Sequence, residues 1–286
     1  MKLSRTAVSS PSITAPRSLE KSQPAKHRAA PPRLQPALDT FTPAKPKNTK
    51  GYNLTNNGGK VLTAPEFQPI YLGNYWKTPA GAADRTANDA FAHEVVTSNH
   101  QSILAQYGVG KGTAADSVVV KAMAPKTFTH DDVVALVKQQ IAAGSVKDGP
   151  QTVHMVVLPP GTVLKDGNAD STQGLGGFHG SYVDAAGKSV YFGVVVYSDK
   201  NNGIQFDSNA RDNLSIIESH EFDEAATDPD VENGKLAWYN NKYGEIGDLA
   251  VNSGLVPLDQ AYGRDSGGFA VQAEWSNKDG KFLIGK

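Results

Sequence analysis

The stretch that most restricts the fold is "IIESHEFDEAATDPD", residues 216–230. Asp228-Pro229 stops any helix that precedes it, because proline lacks an amide donor and its ring crowds the turn before it. The spacing upstream predicts a helix that starts near Asp207–Asn209. On such a helix, residues four apart share a face, with Cβ atoms about 5–6 Å apart. His220 and Glu224 therefore point the same way, and Glu221 lies about 100° around the axis. The pattern begins like the zinc-protease signature His-Glu-x-x-His, with Glu224 where the second histidine would stand. Two readings stay open for the helix alone. It is a metal-binding catalytic helix, or it is an acidic surface helix in which Glu218, Asp223 and Glu224 are solvated and His220 is structural.

The chain contains no cysteine, which excludes disulfides, zinc ribbons and thiol chemistry. Any metal site must then be built from His, Asp and Glu. A zinc ion with three protein ligands needs one beyond His220 and Glu224. "YGEIGDLA" (243–250) offers Glu245 and Asp248, neither with an evident structural duty. Asp248 is the favoured ligand, with Glu245 as a partner orienting His220 or another ligand. A carboxylate in place of imidazole also suits calcium or manganese, so calcium is the alternative ion. Asp228 reads as a helix cap. His179, in "GGFHGSY", is flanked by glycines that let a ligand approach closely, although a buried structural histidine is its plainer reading. His93, His100 and His130 read as surface or helix-end residues, and His154 as a strand residue facing a core.

The rest of the chain predicts an α/β or α+β fold, a single mixed-sheet domain over 51–286 behind a disordered tail over 1–50. The tail holds eight of the 17 prolines and one aromatic residue, Phe41, with ten Lys/Arg against Glu20 and Asp39. Such a tract buries too little apolar surface to offset its chain entropy. Its net +8 leaves the remainder at −9 of the chain's −1. A basic tail of this kind reads as a solvated segment with no specific nucleic-acid partner. No run approaches the ~20 apolar residues of a membrane span. The first residues lack the apolar run of a secretory signal, so the expected location is cytoplasmic or reached by a non-classical route.

Within the domain, "KVL" and "PIYLGNYW" predict two short strands in 58–76, and 84–107 a helix interrupted near Ser98-Asn99. Residues 116–123 read as a strand, and 129–144 as a helix capped by Thr129. Residues 151–161 form a buried strand ended by two prolines, and 176–199 a hairpin turning at 184–187. A last strand pair falls around "FAVQAEWSN" and "KFLIG". The glycines of "GLGG" precede a strand rather than a helix, which excludes a phosphate cradle there.

Several of these stretches taken together, "GGKVL", "PIYLGNYW", "LAQYGVGKGT", "VVLPPGT", "GGFHGSY", "ESHEFDEAATDP", "GEIGDL" and "VQAEWSN", occur in a familiar order. In that order the chain resembles a bacterial and fungal zinc-metallopeptidase-like family, distantly related to the plant Exordium/phosphate-induced proteins, over about residues 57–280. It departs from that pattern at Ala250, where the family often has cysteine, and in lacking a secretory signal. The resemblance implies zinc, a peptide or protein substrate, and a site at His220, Glu221, Glu224, Glu245 and Asp248. On this reading His220, Glu224 and Asp248 hold the metal and Glu221 activates a water for attack on an amide. His179 then hydrogen-bonds the tetrahedral oxyanion. The alternative is a non-enzymatic binding or signalling module of Exordium-like type, with a structural metal or a carboxylate network.

Overall fold

Strands that are apolar on both faces need helices on both sides, and that requirement organises this molecule. The computed structural model describes residues 50–199 and 201–285; the expected tail over 1–50 lies, Lys50 apart, outside them. Six strands form the main sheet: β1 (Glu66–Leu72), β2 (Thr113–Ala114), β3 (Val118–Val120), β4 (Thr152–Val157), β5 (Gly177–Val183) and β6 (Ser189–Val195). Their order is β2-β1-β4-β6-β5, with β3 also paired to β1. β1 runs parallel to β2, β3 and β4, and β4 parallel to β6. β5 is the antiparallel edge strand, joined to β6 by the expected hairpin. The fold is mixed α/β.

Alternating side chains split the interior into two cores. Phe67, Tyr71, Val153, Met155, Tyr191 and Val195 point to one face. Ile70, Val156, Val190, Phe192 and Val194 point to the other. Three helices cover these faces: α1 (Pro79–Val95), α2 (His130–Ala142) and α3 (Ala210–Thr227). α2 closes the second face with Val133, Leu136 and Val137. α1 and α3 close the first, with Phe91, Val95, Ile216, Phe222 and Ala225 in its core. α2 starts where its sequence predicts, in a capping box between Thr129 and Asp132.

Three expectations need correction. "KVL" is not a strand: Leu62 N donates to Ala226 O at 2.9 Å, so the segment satisfies a carbonyl in the last turn of α3 that has no partner within the helix. The 84–107 helix is two elements, α1 and a 3-10 helix at Gln101–Tyr107, separated by the predicted break. The C-terminal stretch divides at Ala273 into β7 (Ala270–Gln272) and β8 (Glu274–Ser276). β7 pairs with Tyr262–Arg264 and β8 with Lys281–Leu283. Ala273 N instead donates to Ala261 O, and this turns the chain from one pairing to the next.

α3 lies close on the hairpin at Gly177, where a Cβ would come within 2.5 Å of Val194 O and 2.9 Å of Glu221 Oε1. Gly193 stands opposite His179 in the hairpin register, and a Cβ there would meet the end of the Met155 side chain at 2.7 Å and Glu221 Cβ at 3.8 Å. Gly177→Ala is therefore expected to cost about 1–3 kcal/mol through overpacking, read as a lower urea midpoint. An unchanged midpoint would show that the helix and the hairpin have room to move apart.

Candidate metal centre

Fifteen of the 18 residues of α3 are buried. The expectation of a solvated acidic face on this helix is thereby overturned, because the sheet, α1 and β7 all pack against it. An uncompensated buried carboxylate costs several kcal/mol, so each acidic group of α3 has to meet a partner or stay protonated. Glu218 Oε1 accepts a hydrogen bond from Asn88 Nδ2 on α1 at 3.0 Å. Asp223 Oδ2 lies 2.8 Å from His100 Nε2. Glu224 faces two histidines at once.

His220 Nε2 is 3.2 Å from Glu224 Oε1, and His179 Nδ1 is 3.4 Å from Glu224 Oε2. His179 Nε2 is 3.3 Å from Glu245 Oε1, and Glu221 Oε2 is 3.8 Å from His179 Nδ1. Glu245 and Asp248 arrive on the turn before and the first residue of a short helix, α4 (Asp248–Asn252). Asp248 N donates to Glu224 Oε1 at 3.0 Å, and Asn252 Nδ2 donates to Asp248 Oδ1 at 3.0 Å. All six side chains are at most 2% exposed. The structure thus brings together every residue that the sequence pointed to. Asp228 ends α3 as expected, and its Oδ1 accepts from Ala237 N at 2.7 Å.

Gln272 on β7 fixes the tautomer of His220. Its Nε2 donates to Gly247 O at 2.6 Å, which turns Oε1 toward His220 Nδ1 at 3.0 Å. Nδ1 is therefore the donor, and Nε2 presents a lone pair when the ring is neutral. A metal-ligating histidine is held in this way. Gly247 permits the contact, since a Cβ there would come within 2.4 Å of His220 Nδ1. The orienting partner of His220 is thus Gln272, and Glu245, expected beside His220 or another ligand, faces His179. The sequence signal for Gln272 was weak: with Glu274 it occupies alternate positions of "VQAEW".

His100 stands at a helix end, one of its two expected positions, as the N-cap of the 3-10 helix at Gln101–Tyr107. It is fully buried rather than at the surface, and with Asp223 and Glu274 it forms a further cluster of possible ligands. Its Nδ1 donates to Ile284 O at 2.9 Å. Burial alone would lower its pKa, but the charge of Asp223 and its hydrogen bond outweigh this and raise it to about 9. Its two ring nitrogens thus face Asp223 and Ile284, while Asp223 Oδ1 and Glu274 Oε2 stay buried without a hydrogen-bond partner among the described residues.

At the centre itself the buried charges oppose one another. Burial favours neutral His220 and His179, yet the facing carboxylates hold both well above the usual histidine range. Burial raises Glu221 and Asp248, and carries Glu245 to about 8. Glu224 goes the other way, to about 2, because its two histidines outweigh its burial. Four buried atoms here have no hydrogen-bond partner among the described residues: His179 Nε2, His220 Nε2, Glu221 Oε1 and Glu245 Oε1. Unpaired donor and acceptor atoms of these types, converging from two elements on α3, fit a cation. The clusters His220/Glu224/Asp248 and His179/Glu224/Glu245 could each hold a metal ion, their ligand atoms lying within 4.8 Å of one another.

No family model matches the chain, and neither a curated protein nor a solved structure is found to be similar to it.

Glu218, on the α1 side of the helix, gives a test of the burial. Burial raises it from 4.5 to about 8, against the lowering hydrogen bond from Asn88. The folded chain holds this proton at pH values where the unfolded chain has released it. Its stabilising contribution is therefore complete below about pH 4.5 and declines up to about pH 8. Glu218→Gln mimics the neutral carboxyl and is expected to match the wild type near pH 5 and exceed it near pH 8 in urea unfolding. A variant weaker than the wild type near pH 8 would mean that the buried group is charged.

Proposed function

We propose that this protein is a zinc-dependent hydrolase of metallopeptidase type, acting on a peptide or protein. The observation that carries this reading is Glu221 Oε1, buried without a partner one turn position away from the cluster of His220, Glu224 and Asp248. The motif resemblance noted in the sequence rests on the same helix and turn and points the same way. His220 Nε2, Glu224 and Asp248 hold the ion. When bound, zinc supplies Lewis acidity and a water of lowered pKa. Glu221 receives the proton at Oε1 and returns it to the leaving amine, which is the task of a general base whose own pKa is raised by burial. His179 stands beside Glu221, where its protonated ring offers a donor to a developing oxyanion.

Glu232 and Asp230 tie the segment 230–236 to β5: Ser181 N donates to Glu232 Oε2 at 3.0 Å and Ser181 Oγ to Asp230 Oδ1 at 3.1 Å. The same segment, with residues 57–60, lines a cleft of about 540 Å³, and on this reading a substrate enters from that side. The near-complete burial of the ligand set favours one second reading, a structural metal in a non-enzymatic binding module.

Glu221→Gln separates the two. It is expected to retain zinc and fold while losing about 10²–10⁴-fold in hydrolysis of a mixed peptide library, the usual contribution of a general base. Elemental analysis of the same samples reports the metal. Equal turnover by wild type and variant would exclude Glu221 as the base. Zinc-loaded wild type that turns over nothing, but loses thermal stability on chelation, would establish the structural reading.

A further inference from the structure

We infer that the centre takes two divalent cations, bridged by the carboxylate of Glu224. The inference rests on the metal-binding part of the proposed function and not on hydrolysis. The two oxygens of Glu224 face different imidazoles: Oε1 lies 3.2 Å from His220 Nε2, and Oε2 lies 3.4 Å from His179 Nδ1. Each side has a further carboxylate of its own, Asp248 with His220 and Glu245 with His179. The result is two sets of one imidazole and two carboxylates that share one residue. Two ions on such a set lie about 3.5–4 Å apart, as in known two-metal hydrolytic sites.

The unpaired atoms distinguish this arrangement from a single ion. One ion at His220, Glu224 and Asp248 satisfies His220 Nε2 but leaves His179 Nε2 and Glu245 Oε1 facing only each other, 3.3 Å apart and out of hydrogen-bond geometry. Native proteins rarely leave buried polar atoms unmatched, and here the unmatched atoms lie on both sides of Glu224.

Full-length protein stripped by a chelator and reloaded with zinc is expected to hold about two ions per chain after desalting, by elemental analysis. Reloaded with manganese(II), it is expected to give the electron paramagnetic resonance spectrum of an exchange-coupled pair. His179→Ala and His220→Ala, checked for fold by circular dichroism, are each expected to keep about one ion; the wild-type measurements stand even if either variant fails to fold. One zinc per chain in the wild type, or two manganese ions without coupling, overturns the bridged pair. One zinc with hydrolysis leaves the hydrolase reading intact while removing the pair. Two zinc ions without hydrolysis does the reverse, and a wild type that binds none removes both.

Discussion

The position of Glu224 between His220 and His179 sets the charge balance on which the interior depends. Its carboxylate alone in this cluster is driven down, to about 2, while its neighbours Glu245 and Asp248 are driven up. Both follow from one physical cause. In a low-dielectric interior the number of charges that can be carried is limited by the number of opposite charges nearby. Two imidazoles favour the charged form of one well-placed carboxylate, and burial disfavours charge on the others. Metal binding and proton loss at shared ligands are linked, so a cation would act against that restriction.

The backbone is shaped to keep this cluster in place. Parallel strands buried on both faces force a layered fold, and the lack of a side chain at Gly177 lets α3 lie against the antiparallel edge strand. His179 reaches Glu221 and Glu224 because β5 is the last strand of the sheet and Gly193 leaves space beside it. Gln272 and Asp248 come from C-terminal elements that pack on the opposite side of α3. Residues from three chain segments therefore converge on one helix, which can carry buried polar groups beside its apolar face because all of its faces are occupied.

Much of this was legible in the sequence wherever the determinants are local. The Thr129 cap, the hairpin, the buried strand at Thr152–Val157 and the Asp228 end of α3 depend on residues within a few positions of one another. So does the pairing of His220 with Glu224. What was not legible depends on distance along the chain. Asp223 is buried because His100, 123 residues away, comes to meet it, and His220 is oriented by Gln272, 52 residues away. An acidic helix read alone gives no sign of whether such partners exist, and solvent is then the natural partner to assign. "KVL" failed for a related reason: its β-prone side chains suit a strand, but its backbone was recruited by an open helix carbonyl.

On the hydrolase reading proposed above, burial and catalysis place opposed demands on this centre. A general base gains from burial, which raises its pKa toward working pH, and Glu221 is raised in that way. A substrate needs access, and the same burial denies it. Glu232 is where the two demands meet. One of its oxygens accepts from Ser181 N on the edge strand, and the other lies 2.9 Å from His130 Nε2 at the start of α2. Glu232 thus adds polar contacts to a segment whose Val231 is also buried. Polar contacts of this kind break one at a time at modest cost, whereas the ligand set behind them is fixed by packed secondary structure. If the centre is the hydrolase site proposed above, this segment is where rigidity can be given up without disturbing the ligands.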